Sequence, residues 1–309
     1  MLYEFALDPE VLSTWESFRY FIDRFGAHHG RMISRFPKRW KRMVYDASLR
    51  CKPVERLRIV EILDKHVDTK LLDRMRPYNG ERSWLENAES EHYRHAFRAI
   101  ITSANPRHLP GILIADECDE TRDQNSLWVV PRSDRVSRKA NAFVAAAGAL
   151  ISFSSELILV DAYFNPTKIE FRNPLQEFVR MIAARGAPHR LEYHLRADYE
   201  NAPATQYFQK ACQTRLPQIL PAGTALKIVR WKEKVGGREF HARYLLTNLG
   251  GISFDPGLDE GEDGQQAKLD LLEPTIYSGL IRDFPLDAET AVDTTYEFSD
   301  QIIVVGTAK

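Results

Sequence analysis

The amino-acid sequence predicts an α/β protein with a mainly helical N-terminal region, residues 1–125, followed by a mixed-sheet domain flanked by helices, residues 126–309. Three observations support this prediction. Apolar side chains up to about Asn105 recur at helical spacing. Residues 116–126 are polar and rich in turn-forming types, which favours a domain boundary there. Beyond them, apolar stretches alternate with helical stretches, which is typical of a sheet covered by helices.

In the N-terminal region the spacing of apolar residues predicts most of the structure as helix. The expected helices cover residues 11–25, 36–49, 53–75 and 87–101, and residues 109–115 form a short apolar strand.

In the second region the pattern predicts strands over residues 127–131, 157–163, 191–195, 225–231, 240–247 and 251–254, and helices over residues 136–151, 173–184 and 205–219. The continuous apolar run at 157–163, LILVDAY, is typical of a strand covered on both faces. Pro174 is expected in the first turn of its helix. The strand at 240–247 is expected to neighbour the strand at 225–231, and residues 257–266 are expected to form a flexible acidic loop.

The composition is that of an ordinary globular protein, with 44% hydrophobic residues, 28% charged residues and a net charge of −1. The charge is nevertheless uneven. Residues 31–52 contain eight basic residues and one acidic residue, whereas residues 255–309 contain 13 acidic and three basic residues. One of these segments then binds a polyanion or docks on the other segment. Alternatively, the two segments are solvated faces of opposite charge.

The three cysteines are widely spaced and show no metal-binding pattern, which fits a reducing compartment and no disulfide framework. The N-terminus shows no signal-peptide pattern, and no apolar run is long enough to span a bilayer. We therefore expect a cytoplasmic protein without a membrane span.

The segment FHARYLLTNLGG, residues 240–251, is the most informative motif. Alternate residues of a strand share a face, so His241 and Arg243 are expected to point the same way, roughly 6.5–7 Å apart. Imidazole can attack phosphorus or transfer a proton, and guanidinium binds phosphate oxygens in a fork. A hydrogen-bonded histidine beside a structural salt bridge is the alternative explanation.

The order His-x-Arg-x-x-x-x-Asn followed by Gly-Gly resembles the His-x-Lys-x-x-x-x-Asp motif of the phospholipase D superfamily, which includes lipases, nucleases and inactive relatives. The resemblance covers roughly residues 127–309 and includes the preceding order of strands and helices. It implies a phospholipase D-like fold in which His241 is the nucleophile, Arg243 holds the phosphate and Asn248 supports them. Ser253 lies in a loose counterpart of the Gly-Ser-x-Asn segment of the family.

This chain departs from the family pattern in ways that bear on activity. Arginine replaces lysine, asparagine replaces aspartate, and one motif is present where the catalytic unit needs two histidines. A symmetric homodimer would supply the second. His194, in another His-x-Arg sequence, is a weaker candidate for the same site. The resemblance implies no metal and no cofactor.

Further residues are candidates for substrate binding. Asp161 ends a predicted strand, where open α/β sheets bind ligands, although it equally suits a cap on the following turn. Arg132 and Arg135 belong to a basic cluster that either follows a nucleic-acid backbone or is a solvated face. The basic segment 31–52 contains aromatic residues suited to stacking on DNA or RNA, but Trp40, Met43 and Val44 lie at helical spacing and equally suit a helix core.

These features lead to three hypotheses. The first is a metal-independent phosphodiesterase, most simply a nuclease, acting as a homodimer in defence against foreign nucleic acid. The second is an inactive module that binds a phosphate ligand or scaffolds a larger complex, which the replacement by Asn248 favours. The third is a subunit whose N-terminal region docks partner proteins of a defence complex.

Overall fold

The chain divides into two units, Leu2–Arg132 and Ser133–Lys309 together with Met1. The computed structural model describes residues 1–119, 127–199, 202–241 and 243–308. The predicted boundary between residues 125 and 126 lies outside the described residues.

A five-stranded parallel sheet forms the centre of the N-terminal unit. Its strands are β1 (Tyr3–Leu7), β2 (Arg31–Ser34), β3 (Leu71–Leu72), β4 (Ala99–Thr102) and β5 (Ile112–Ile114), in the order β3-β2-β1-β4-β5. Its helices are α1 (Trp15–Arg24), α2 (Trp40–Ala47), α3 (Pro53–Lys65) and α4 (Trp84–Arg94). Side chains of α1, α2 and α3 form one buried cluster with the sheet, and side chains of α4 form another.

The prediction of a mainly helical N-terminal region is therefore wrong. Each strand of this sheet has only two to five residues, and apolar side chains fill both of its faces. Such short apolar runs show no alternation that separates them from buried helix. The segment 87–101 illustrates the error, because the helix ends at Arg94 and the chain re-enters the sheet at Ala99.

A mixed eight-stranded sheet forms the second unit, so the predicted α/β class is confirmed. Its strands are β6 (Ser133–Ser137), β7 (Glu156–Asp161), β8 (Arg190–Arg196), β9 (Ala225–Lys232), β10 (Arg243–Thr247), β11 (Gly250–Asp255), β12 (Gln266–Leu271) and β13 (Glu297–Val305). Their order in the sheet is β13-β9-β8-β7-β10-β11-β12-β6. Strands β7, β8 and β9 are parallel, and the remaining pairs are antiparallel.

Four helices flank this sheet: α5 (Ala140–Ser152), α6 (Ile169–Ala183), α7 (Thr205–Arg215) and α8 (Pro274–Asp283). On one face, α8 contributes Leu280 to a cluster with Val160, Trp231 and Leu246. On the other face, Phe143 of α5 and Phe178 of α6 contact Phe254 of β11. Both faces of the central strands are thus buried, as the run LILVDAY predicts.

Strand β10 pairs with β7 and β11 rather than with β9, which corrects the expected neighbour relation. Residues 127–131 form no strand, and Trp128 and Val130 are instead buried in the core of the N-terminal unit. The segment expected to be one helix from 136 begins as strand β6, and α5 follows at Ala140.

Pro174 lies in the interior of α6 rather than in its first turn. Proline has no N–H to donate to the carbonyl four residues earlier, which here is that of Glu170. The backbone N–H of Glu260 donates to that carbonyl instead, at 2.8 Å. Glu260 also accepts hydrogen bonds from the Ala140 amide and the Asn173 side chain. The expected flexible acidic loop is therefore fastened to the first turn of α5 and to α6.

Candidate functional site

The candidate site lies at the carboxyl end of β7, beside the first residue of β10. Arg243 and Asp161 are directly paired in the antiparallel register of these strands, so their side chains share one face of the sheet. Tyr163 follows β7 immediately, and His241 lies two residues before the start of β10. Four polar side chains of types that bind anions or transfer protons thus gather at one strand end.

A buried aromatic residue fixes the chain just before His241. Phe240 is 1% exposed within the cluster that also contains Trp231 and Phe284. Its backbone N–H donates to Glu233 at 2.7 Å, and Arg196 bridges Glu233 to Asp198. His241 therefore directly follows an anchored residue. The sequence predicts a strand over residues 240–247, but β10 begins only at Arg243. Residue 242, also in that range, lies outside the described residues.

The side chains of His241 and Arg243 converge. His241 Nε2 lies 3.2 Å from Arg243 Nη1, and His241 Nδ1 lies 3.2 Å from the Tyr163 hydroxyl. The imidazole is 56% exposed, so a ligand has access to it. Because guanidinium can only donate, Nε2 accepts in this arrangement, and the neutral ring then carries its proton on Nδ1.

Tyr163 contacts both members of the pair. Its ring lies 5.4 Å from the Arg243 guanidinium carbon and 5.8 Å, edge to face, from the His241 ring. Tyr199 packs edge to face against Tyr163 at 5.4 Å. This aromatic support restricts the rotamers of both polar side chains, because movement of either would cost packing against Tyr163.

Asp161 is almost completely buried beneath this pair. Burial raises the pKa of its carboxyl group to about 6, although hydrogen bonds from the Tyr163 and Leu258 amides and the charge of Arg243 act in the opposite direction. The amides donate to Oδ1 at 3.0 Å and to Oδ2 at 3.1 Å. Asp161 therefore caps the turn after β7, as one of its two predicted roles requires, and its carboxyl group lies beside Arg243. Its role in ligand binding stays a prediction.

The loop after β11 completes the surroundings of Asp161. Leu258 supplies one of the amides, and the neighbouring Asp259 forms an ion pair with Arg138. A Cβ atom at Gly257 would meet the Asp259 carboxylate, so a larger residue there would displace that side chain from its present position. The acidic segment 257–266 thus borders the site.

Asn248 does not join His241. It lies in the turn between β10 and β11, and its Oδ1 accepts hydrogen bonds from the amides of Ser155, at 2.9 Å, and Glu156, at 3.3 Å. Because β10 has five residues, Asn248 is roughly 17 Å from the other end of the strand. Its carboxamide fastens the start of β7 and makes no contact with the imidazole.

Ser253 and His194 lie on the opposite face of the sheet from Arg243. Ser253 pairs with Tyr244, and His194 pairs with Val160, which itself pairs with Tyr244. Neighbouring residues of a strand point to opposite faces, so Tyr244 and its partners point away from Arg243. The structure therefore does not bring these two predicted site residues to His241.

His194 belongs to a buried polar network instead. Its Nδ1 accepts a hydrogen bond from Trp231 Nε1 at 2.9 Å, and its Nε2 lies 3.0 Å from Glu192. Burial lowers the pKa of His194. Arg190 and Lys227 each lie 2.5 Å from the Glu192 carboxylate. Burial raises the pKa of this carboxyl group, but its interactions with His194 and Arg190 outweigh burial and lower the pKa to about 2.

The two predicted arginines lie elsewhere. Arg135 is exposed on β6, the outermost strand beyond β12, so three strand spacings, or roughly 14 Å, separate its strand from β10. Arg132 is the last residue of the N-terminal unit and lines a cavity of about 360 Å³ with His29 and Arg31.

The basic segment 31–52 provides little free surface for stacking on bases. Phe36 and Trp40 are fully buried in the core. Several of its cations pair with acids of the same unit: Arg35 with Asp73, Lys41 with Asp68, Arg42 with Asp46 and Arg50 with Glu10. The helix-core explanation is therefore confirmed for Trp40 and Val44, which are buried in α2, whereas Phe36 is buried ahead of that helix.

Tyr163 and Tyr199 are the members of the site that the motif did not identify. Tyr163 lies two residues after Asp161 in the sequence, at the end of a predicted buried strand, and that position is the signal that marks it. Tyr199 likewise follows the carboxyl end of a parallel strand, β8, which neighbours β7. Within the described ranges, no three histidine, cysteine, aspartate or glutamate side chains are grouped so as to hold a metal ion.

None of the helices in the described part of the chain has both the length and the apolarity needed to cross a bilayer. No protein-family model matches the chain, and no match is found among curated proteins. A solved structure of TrmBL2, an archaeal chromatin protein with a novel mode of DNA binding, aligns with half of this chain. The alignment covers 50% of each chain, with a TM-score of 0.24 and 10% sequence identity. At this level the similarity carries no inference.

Proposed function

We propose that this chain is a phospholipase D-like phosphodiesterase in which His241 attacks phosphorus and Arg243 binds the phosphate oxygens. The observation that carries the proposal is the 3.2 Å approach of an exposed imidazole Nε2 to a guanidinium Nη1 at the carboxyl end of β7. A bound phosphate can replace the contact between His241 and Arg243 with two contacts of its own. Its phosphorus then lies against His241 Nε2, and its oxygens accept hydrogen bonds from Arg243.

The hydrogen bonds around the ring support His241 as a nucleophile. With the proton on Nδ1, facing the Tyr163 hydroxyl, the lone pair of Nε2 is available for attack. Attack forms the bond from Nε2 to phosphorus and breaks the bond from phosphorus to the leaving oxygen, which takes a proton from an acid. Water then attacks phosphorus, releases the imidazole and yields a phosphate monoester and a proton.

Among the described residues of the second unit, no other histidine lies beside His241 to act as the acid for the leaving oxygen. His194 lies on the other face of the sheet and is fully buried. We therefore propose that a second copy of the chain supplies its own His241, so that the active form is a homodimer. The solution mass tests this directly: a monomer of 35.6 kDa at all working concentrations contradicts the dimer.

Nucleic acid is the proposed substrate because the resemblance includes nucleases. Arg243 binds a phosphodiester without reading a base, which suits hydrolysis without sequence preference. A cytoplasmic setting and a role in defence against foreign nucleic acid stay predictions from the sequence.

Binding of a phosphate ligand without turnover is the second candidate, and one observation favours it. Asn248 lies at the far end of β10, and His241 Nδ1 faces a neutral hydroxyl, while the nearest recorded carboxylate oxygen, of Glu239, is 4.0 Å away. An imidazolium formed during the reaction would therefore receive little charge stabilisation.

Incubation of labelled single-stranded DNA and RNA with the protein in EDTA separates the two candidates. We expect cleavage by the unaltered chain and by His189→Ala, a matched substitution of an exposed histidine, and no cleavage by His241→Ala. Cleavage that requires magnesium or survives His241→Ala contradicts the proposed chemistry. Binding without cleavage, lost in Arg243→Ala, selects the non-catalytic candidate.

A further inference from the structure

Strand β13 forms one edge of the eight-stranded sheet and pairs with β9 along one side only. It has nine residues, Glu297–Val305, whereas the edge strands β3 and β5 of the other sheet have two and three. The opposite edge, β6, has five residues and carries the exposed charges Asp134 and Arg135. Short length and exposed charge are common protections of a sheet edge, and residues 301–305 of β13, QIIVV, contain neither a charge nor a proline.

The backbone of β13 turns every second residue away from β9. The Gly306 N–H donates to the Thr224 carbonyl, so Val304 and Ile302 also face β9, because residues of an antiparallel pair alternate in this respect. The residues that point their N–H and C=O groups towards the open side are therefore Gln301, Ile303 and Val305. Within the described ranges, no residue outside the sheet forms a hydrogen bond with the backbone of these three.

The side chains next to these backbone groups are exposed and apolar. Ile303 is 63% exposed and Val305 is 53% exposed, whereas Ile302 and Val304 are 5% and 2% exposed. Because side chains of a strand alternate between faces, Ile303 and Val305 lie on the same face of the sheet, at its edge. Exposed apolar side chains beside unpaired backbone groups favour the addition of a further strand.

The open part of this edge has defined ends. Beyond Val305, the Thr307 N–H donates to the Pro217 carbonyl at 2.7 Å, so the chain after α7 occupies the edge there. Before Gln301, the register with β9 shifts between Phe298 and Asp300, and such irregularities disturb the regular pairing of a strand. Residues 301–305 are therefore the open edge of β13.

We propose that the open edge of a second copy of this chain pairs with it, antiparallel, about a two-fold axis at Ile303. Identical antiparallel strands are self-complementary, so the same surface serves both copies. Ile303 then lies opposite Ile303 of the second copy, and Gln301 lies opposite Val305. The outward groups form about six backbone hydrogen bonds between the copies. The two eight-stranded sheets become one continuous sheet.

The distribution of charge favours a second copy as the partner. Residues 301–305 are uncharged, so two identical segments meet without repulsion between like charges. The acidic residues of β13, Glu297 and Asp300, both precede this segment. In a pair centred on Ile303, Asp300 lies opposite Gly306, so the acidic residues of the two copies are not opposed.

This edge contact is separate from the homodimer proposed for catalysis. Two strands, β9 and β8, lie between β13 and β7, and β10 is beyond β7. In the continuous sheet, roughly 43 Å would therefore separate the two β10 strands, which is too far for one copy to add its His241 to the site of the other. Each contact can form or fail without the other.

Analytical ultracentrifugation of the full chain tests the proposal. We expect Ile303→Lys to halve the solution mass, because two ammonium groups would then meet at the two-fold axis. If the catalytic homodimer also forms, the change is from tetramer to dimer, and otherwise it is from dimer to monomer. Ile169→Lys is the matched control, since Ile169 is 61% exposed in the same unit, and it should leave the mass unchanged.

Hydrogen exchange of the backbone amides locates the contact without any substitution. Exchange at the three outward amides should be slowed about tenfold or more in the associated chain, and dilution should remove this protection. Equal masses for the unaltered chain and a folded Ile303→Lys variant overturn the proposal. Protection of these amides that survives dilution to the monomer also overturns it, because the second copy is then not its cause.

Discussion

Arg243 and Asp161 face each other across the antiparallel pair β10 and β7, one half-exposed and the other almost wholly buried. The cation therefore lies above a carboxyl group whose own hydrogen bonds hold the turn after β7. This pairing fixes the guanidinium at the point where β7 ends and His241 approaches. The register of the paired strands therefore sets the position of the Arg243 guanidinium, and paired strands are more rigid than a surface loop.

Replacement of Arg243 should show whether oligonucleotide binding depends on a specific phosphate contact or on the general attraction of basic side chains for polyanions. We expect Arg243→Ala to weaken binding of a single-stranded oligonucleotide by about 2 kcal/mol, because a charge-assisted hydrogen bond is lost. Arg243→Lys should recover part of this, since lysine keeps the charge without the fork. Arg135→Ala is the matched control on the exposed edge strand. Fluorescence anisotropy measures all three, and an equal loss in Arg135→Ala would argue against a localised site.

Tyr163 is expected to support the tautomer of His241 that the Arg243 contact selects. In Tyr163→Phe the ring remains but the partner of Nδ1 is lost, so the preference for a proton on Nδ1 should weaken by about 1 kcal/mol. The ¹⁵N chemical shifts of the imidazole report the tautomer without any substrate. Tyr199→Phe serves as the control, since its recorded ring contact is with Tyr163. An unchanged tautomer in Tyr163→Phe would exclude this role for the hydroxyl.

The raised pKa of Asp161 predicts how the free energy of unfolding depends on pH. Its pKa is raised from 3.8 when unfolded to about 6 in the fold. Between these values the folded chain holds a proton that the unfolded chain has released, so the free energy of unfolding falls as pH rises from about 4 to about 6. The shift corresponds to about 3 kcal/mol. Urea unfolding of the unaltered chain and of Asp161→Asn should differ in slope over this window, and parallel curves would contradict the assignment.

Glu192 predicts the opposite dependence at lower pH. Its pKa is lowered from 4.5 to about 2, so the stabilisation is complete above about 4.5 and is lost as pH falls towards 2. Glu192→Gln should lower the free energy of unfolding by about 3 kcal/mol at pH 7, because Arg190, Lys227 and His194 lose a buried partner. It should leave oligonucleotide binding unchanged. Weakened binding in a folded Glu192→Gln chain would show that His194 belongs to the site after all.

The sequence predicted the second unit better than the first, and the reason lies in strand length and burial. Four consecutive apolar residues, 157–160, lie in the run LILVDAY and predict strand β7. Strand β3 consists of Leu71 and Leu72 alone, and strand β4 follows α4 after only four residues. Neither strand has enough residues to show the alternation of apolar and polar side chains that identifies a strand. Their pairing depends on contacts between residues distant in the sequence.

The motif identified two side chains that meet and two that do not. His241 and Arg243 are two residues apart, so their proximity follows from local geometry. Asn248 and Ser253 were carried over from a resemblance, and their positions depend on where β10 ends and on its register with β11. A shift of one residue in that register would reverse the face of Ser253. Tyr163 entered the site because β7 and β10 are neighbours, which residue spacing alone does not reveal.

A crystal structure of the protein with tungstate, a phosphate mimic, tests the central claim most directly. We predict one anion within hydrogen-bonding distance of both His241 Nε2 and Arg243, with the present contact between the two side chains broken. Tungstate bound elsewhere, while the His241–Arg243 contact persists, would contradict the account.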